Sequence, residues 1–379
     1  MNGNTEQSID TKPKFITNLS GFRAIAAILI AFSHFGTPFS ENSKIAAIAY
    51  RGYSGVTAFL ILSGFVLTWS QLTKNNSKVS SNKRFFIDRI SRIYPLHLIT
   101  MLLAIVLLGI PKFNLLTVLS HITLTQAWLP DIESIYTYNS VSWALSVEIF
   151  LYLCFPTLYW ICKKGFDKYR NTSALAIIVI GVLIPTIVFL LLKIKGNIYY
   201  PIEQQWSAHY FLYRFPITRL GDFIIGIGLA FLVYYSKPIS KRTKISLQIL
   251  SAILYLFMAS NYVYTFDSIL GALSFDLMWI PIFVLAIYSL SIESKTTSRN
   301  VLSWSPIINF GMWSFAFYLT HNTFFLYLKS LKKGLFFTGS VNFAVSVTLL
   351  LIFLVILSKY LFKYIELPLQ KKIRNKLIK

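Results

Sequence analysis

Charge is the scarcest property of this sequence. Only 13% of its 379 residues are charged, about half the usual share of a soluble domain. So little charge cannot cover a soluble surface of this size, which excludes a soluble globular enzyme, a nucleic-acid-binding domain and a disordered chain. Acid is scarcer still, with 14 Asp and Glu against 36 Lys and Arg. The two cysteines, Cys154 and Cys162, lie in one apolar segment, too few for a disulfide framework or a zinc site. Five histidines are scattered without metal-ligand spacing, so no metal is expected. There is no G-x-S-x-G, H-E-x-x-H or Walker A run. The first apolar run carries Arg23 and His34 and lacks an A-x-A-like cleavage site. It reads as a retained span and not as a signal peptide.

What is abundant is apolar: 55% hydrophobic residues and a mean hydropathy of +0.60. A helical span needs about 20 mostly apolar residues. Ten segments qualify, roughly 19–37, 53–72, 93–111, 140–162, 173–193, 216–235, 244–264, 269–291, 305–328 and 341–364. The expected fold is all-α, a polytopic transmembrane bundle of about ten spans. Segment 113–129 is shorter and ends in Trp128 and Pro130, which suits an interfacial or re-entrant piece. Tyr199, Tyr200, Trp206, Tyr210 and Tyr213 give 193–215 the composition of an aromatic belt. With both termini cytoplasmic, 26 of the 36 basic residues fall on the inner side, as positive-inside bias requires. The net charge of +22 is thereby explained without nucleic acid. The chain then divides into a polar tail, 1–18, a membrane domain, 19–364, and a basic tail, 365–379. No repeat or linker separates further domains.

Ionisable groups within spans are costly and mark functional candidates. Arg23 and His34 lie 11 residues apart on the first span, nearly on one face and about 16 Å apart along the axis. Glu148, in Ser142-Trp143-Ala144-Leu145-Ser146-Val147-Glu148, has no basic residue nearby in its span. The topology puts His34, Glu148, His321 and Arg219 in the outer half. Arg219 and Asp222 are three apart and can pair. On the cytoplasmic side, Arg89 and Arg92 share a helix face against Tyr94-Pro95, and arginine forks suit phosphate oxygens. His121 and His209 carry no evident signal.

These residues resemble the acyltransferase-3 family of integral membrane acyltransferases. The resemblance runs in order through Leu19–Ala24 with Phe32-Ser33-His34-Phe35, Phe59–Phe65, Arg89–Pro95, Ser142–Glu148, Arg219–Phe223, Phe317–His321 and Tyr364–Pro368. It implies acyl transfer, usually acetyl, from cytoplasmic acyl-CoA to a hydroxyl. The acceptor it implies is a sugar of a surface polysaccharide, another envelope glycan or a glycosylated product. By this reading His34 is the base or acyl carrier and Glu148 orients it. Arg23, Arg89, Arg92 and Tyr94 hold the donor. His321, Arg219, Ser142 and Trp143 serve the acceptor side or support the site. No cofactor is bound permanently, with acyl-CoA, chiefly acetyl-CoA, as a substrate. The expected place is the cytoplasmic (inner) membrane, and the partners are donor, glycan and lipid bilayer. Two departures stand out: Ile149 replaces a second Glu, and a fused extracytoplasmic hydrolase-like domain is expected to be absent. A separate extracytoplasmic protein would supply that domain's work, or the membrane domain acts directly. The rival reading is a flippase or exporter of envelope glycans, which intramembrane charges also suit.

Overall fold

A computed structural model describes residues 16–36, 43–73, 82–112, 114–261, 266–294, 301–331 and 340–378. Most of the expected N-terminal tail therefore lies outside the described residues. Among them the chain is all-α, without a strand. The helices are α1 (Thr17–Phe35), α2 (Lys44–Tyr50), α3 (Gly55–Leu72), α4 (Asn82–Leu108), α5 (Leu115–Thr123), α6 (Ile132–Tyr136), α7 (Trp143–Lys195), α8 (Pro216–Tyr235), α9 (Lys241–Ser260), α10 (Ile269–Ser274), α11 (Ile280–Ser291), α12 (Ser305–Leu331), α13 (Ser340–Leu361) and α14 (Leu367–Leu377). Among the described residues, seven helices are long and apolar enough to cross a membrane.

Each of the ten expected segments falls on helix. The two segments 140–162 and 173–193 lie on α7, which turns back at Arg170, where φ is 44° and ψ −119°. The eighth falls on α10 and α11, joined by a short turn. Segment 113–129 holds only the nine-residue α5, about 14 Å long and half a span. The basic tail is more ordered than a tail: α14 packs along α4, and Arg374 pairs with Asp88 at 3.2 Å.

Small residues decide which helices meet. In lipid, close backbone approach replaces the hydrophobic effect as the force between helices. A Cβ added at Gly311 on α12 would strike the Ser20 carbonyl of α1. Ala24, Ala27 and Ala31 continue that buried seam on α1, and Phe35 ends it against Phe325 at 5.0 Å between rings. The rising residue numbers on both sides show that α1 and α12 run parallel. A Cβ at Gly64 on α3 would meet the Phe223 carbonyl of α8, and one at Gly226 the Ile61 carbonyl. Tyr53–Tyr213 and Trp69–Tyr234 ring contacts flank this crossing, so α3 and α8 are parallel too. Gly181 and Gly221 let the second half of α7 lie antiparallel on α8. These relative directions agree with the alternation that the ten expected spans require.

Two histidines staple the irregular segment to the bundle. His97 on α4 donates from Nε2 to the His121 carbonyl at 2.8 Å, and His121 donates from Nε2 to the Ser134 carbonyl at 2.9 Å. His121, unremarkable in sequence, is wholly buried. Burial pushes its imidazole down to about 4, against the opposing bond to Ser134 and with a smaller push from His97.

Two outcomes follow from this packing. Gly226→Val on the α3–α8 seam is expected to cost about 1–3 kcal/mol through overpacking, read as a lower thermal midpoint of the detergent-solubilised protein. The unfolded chain protonates His121 near 6.5, the folded chain only near 4. Between those values the unfolded state holds more protons, so His121's contribution to stability is lost as pH falls. The thermal midpoint is expected to drop over that window, and less steeply in His121→Gln.

Candidate functional site

The parallel α1–α12 seam ends in two touching histidines. His321 Nε2 lies 3.1 Å from His34 Nδ1, with ring centroids 5.0 Å apart. Their other contacts fix the tautomers. His34 Nδ1 faces the Ile30 carbonyl at 2.9 Å, and His321 Nδ1 faces the Tyr318 carbonyl at 2.7 Å. A carbonyl only accepts, so both Nδ1 atoms carry the proton. With both rings neutral, the His321 Nε2 lone pair shares the His34 Nδ1 hydrogen with Ile30. His34 Nε2 is left with an unshared lone pair. His321 is wholly buried, whereas His34 is exposed from the protein body. The pair is thus a fixed imidazole behind an accessible basic one.

A cavity of about 120 Å³ lies apart from this pair, lined by Arg23, Arg89, Arg92, Glu148, Tyr152 and Tyr318, among others. Arg89 is held over Phe85 and Tyr152, 5.9 Å from each ring centre. Arg92 pairs with Glu366 at 3.9 Å. Arg23 lies within electrostatic reach of Arg92, Glu148 and Glu366. Three guanidinium groups against two carboxylates leave the site one positive charge in excess. Tyr318 links the two parts: it lines the cavity, and its ring sits 5.8 Å from His321.

The structure thus brings together Arg23, Arg89, Arg92 and Glu148 in one place, and His34 with His321 in another. It differs from expectation at Glu148. Its hydrogen bond comes from the Tyr152 hydroxyl one turn on, and its charge faces Arg23. The orienting partner of His34 is His321 instead. Tyr94 is directed away from the cavity and donates to the Ile122 carbonyl at 2.7 Å. Ser142 accepts from Gln126 at 3.2 Å, and Trp143 packs on Tyr213 at 5.0 Å between rings. Both build the wall behind the site.

Arg219 does pair with Asp222, at 2.9 Å. Sequence reasoning missed its stronger partner, Asp276, at 2.6 Å, and the Thr57 hydroxyl at 2.8 Å. All four residues are wholly buried, so the cluster locks α3, α8 and the turn after α10 and does not face the cavity. Tyr152, Tyr318 and Glu366 were also missed as site residues. The signal was present: each lies in or beside one of the quoted segments, but nothing local says what a Tyr or Glu will face.

The fold and these two centres define an integral-membrane helical protein with a touching histidine pair and, apart from it, a cationic cavity. The chain belongs to the acyltransferase-3 family, whose profile, described as an acyltransferase domain, matches residues 16–363. It is similar to acyltransferase MdmB of Streptomyces mycarofaciens, 26% identical over 84% of this chain and 80% of that protein. It is also similar to O-acetyltransferase OatA of Staphylococcus aureus, 21% identical over 95% of this chain. The match spans 58% of OatA's own length. No solved structure matches the chain. The protein is a membrane acyltransferase, which answers the exporter reading.

His321→Ala removes one of the two acceptors of the His34 Nδ1 proton and leaves only Ile30, so acyl transfer is expected to fall about 10–100-fold. His321→Gln, which can still offer a carbonyl oxygen, is expected to recover part of it. Equal loss in both variants, with unchanged expression, would assign His321 to packing alone.

Proposed function

We propose that the protein moves an acyl group, chiefly acetyl, from cytoplasmic acyl-CoA to a hydroxyl of an envelope or surface glycan. The observation that carries this reading is that one helix, α1, bears both Arg23, which lines the guanidinium-rich cavity, and His34 with its unshared Nε2. Arg89 and Arg92 hold donor phosphates at the cytoplasmic mouth, with Arg23 further along the path. The pantetheine arm follows α1 from Arg23 to His34, a rise of about 16 Å. His34 Nε2 takes the proton of the acceptor hydroxyl. The oxygen bonds to the thioester carbonyl carbon, the C–S bond breaks, and the departing CoA sulfur takes up the proton. A neutral imidazole is a suitable base near pH 7. The imidazolium that forms keeps its Nδ1–H on the Ile30 carbonyl and His321. Glu148 balances the arginines of the donor cavity. The names of MdmB and OatA support acyl and acetyl transfer. The charge asymmetry supports multi-pass insertion in the cytoplasmic membrane with both termini inside.

His34→Ala is expected to lower acyl transfer about 10²–10⁴-fold, measured on membranes holding equal amounts of each variant. The double change of Arg89 and Arg92 to Ala should weaken CoA binding, more at low salt than at high, because exposed charge is screened. Near-parental transfer by His34→Ala removes the catalytic assignment. Near-parental CoA binding by the double variant removes the donor assignment.

A further inference from the structure

A second arginine centre lies at the His34 end of the bundle, outside the donor cavity. A π-helical turn, His209–Arg214, precedes α8; such turns are uncommon and often mark functional sites. Arg214 is wholly buried. Its neighbour Arg219 has two carboxylates, but Arg214 has none among the described residues, where the groups that act on its charge are Tyr136, Tyr213 and Tyr210. Nη2 donates to the Tyr136 hydroxyl and to His209 Nε2, the latter at 3.0 Å. Nε and Nη1 have no hydrogen-bond partner among the described residues. A buried cation with idle donors is costly to keep, and a guanidinium fork suits an oxyanion.

One of the side chains that cover it is itself exposed. The Tyr136 ring lies over the guanidinium, 4.3 Å from its carbon to the ring centre. Tyr136 itself is exposed and ends the five-residue α6. Turning this ring outward removes the cover on that side of Arg214. An oxyanion taking the place of the phenol oxygen meets Nη2 together with Nη1 or Nε. The centre also adjoins the reacting pair: Tyr136 and Tyr213 are within electrostatic reach of Tyr318, and Tyr318 packs on His321. Rings of Tyr53, His209, Tyr213 and Phe275 pack on one another and wall this centre.

We propose that Arg214, covered by Tyr136, is an acceptor subsite for the carboxylate or phosphate of an acidic sugar. The proposal rests on the acyltransferase reading above and adds the charge of its acceptor. The test uses the full chain in detergent with saturating CoA, so that Arg89 and Arg92 are already occupied. The probes are 4-nitrophenyl β-D-glucuronide, the uncharged 4-nitrophenyl β-D-glucoside, glucose 6-phosphate and inorganic phosphate, with Kd read by saturation-transfer NMR.

An acidic sugar is expected to bind about tenfold or more tightly than the glucoside. Arg214→Gln should bring that ratio close to one. Tyr136→Phe keeps the ring but removes the competing phenol oxygen, and should tighten binding of the acidic sugar. That gain is not produced by a purely structural Arg214, and it stands even if Arg214→Gln fails to fold. An unchanged ratio in Arg214→Gln, or no gain in Tyr136→Phe, overturns the proposal. Inorganic phosphate binding as tightly as the sugars would make this a bare anion site and overturn the acceptor assignment. Release of CoA from acetyl-CoA is followed separately: its absence sinks the donor reading, whereas the binding ratio needs no turnover.

Discussion

The structure depends on backbones coming close where side chains are small. Between α1 and α12 the approach of Gly311 to Ser20, followed by Ala24, Ala27 and Ala31, sets two parallel helices in register. That register brings His34 to His321 and Phe35 to Phe325. A bulky residue in the seam would push the helices apart by more than the reach of one hydrogen bond. The glycine crossings of α8 with α3 and α7 act likewise. They hold the walls to which the charged residues are attached.

Within this frame, charges are treated in three ways. Arg219 is neutralised by Asp222 and Asp276 and becomes structural. Arg23, Arg89 and Arg92 are partly balanced by Glu148 and Glu366 and keep an open cavity between them. Among the described residues, Arg214 is answered only by phenols and an imidazole. The low polarity that makes an unpaired charge expensive also makes it effective toward a ligand of opposite sign. Degree of compensation thus distinguishes these arginines, although all are the same residue type in apolar surroundings.

The histidine pair follows the logic of a catalytic triad with one change. An orienting group must accept the Nδ1 proton and stay fixed. Here a neutral imidazole and a helix carbonyl share that task. A neutral partner stabilises imidazolium less than a carboxylate would, but burying it costs less. Glu148 is thereby left to the donor cavity.

The sequence by itself determined the class of fold, the positions of the helices and the short α5. These follow from hydropathy and length, which act locally. It also marked Arg23, His34, Arg89, Arg92, Glu148 and His321, because charge within an apolar run is costly wherever it falls. It established the Arg219–Asp222 pair, since both residues sit on one helix. Only the tertiary structure decided partners across helices: His321 for His34, Tyr152 and Arg23 for Glu148, Asp276 for Arg219, Ile122 for Tyr94. The physical reason is that a helix fixes which residues share its face. Which helix covers that face is set by seams of small residues, and a glycine or alanine in a sequence does not name its partner.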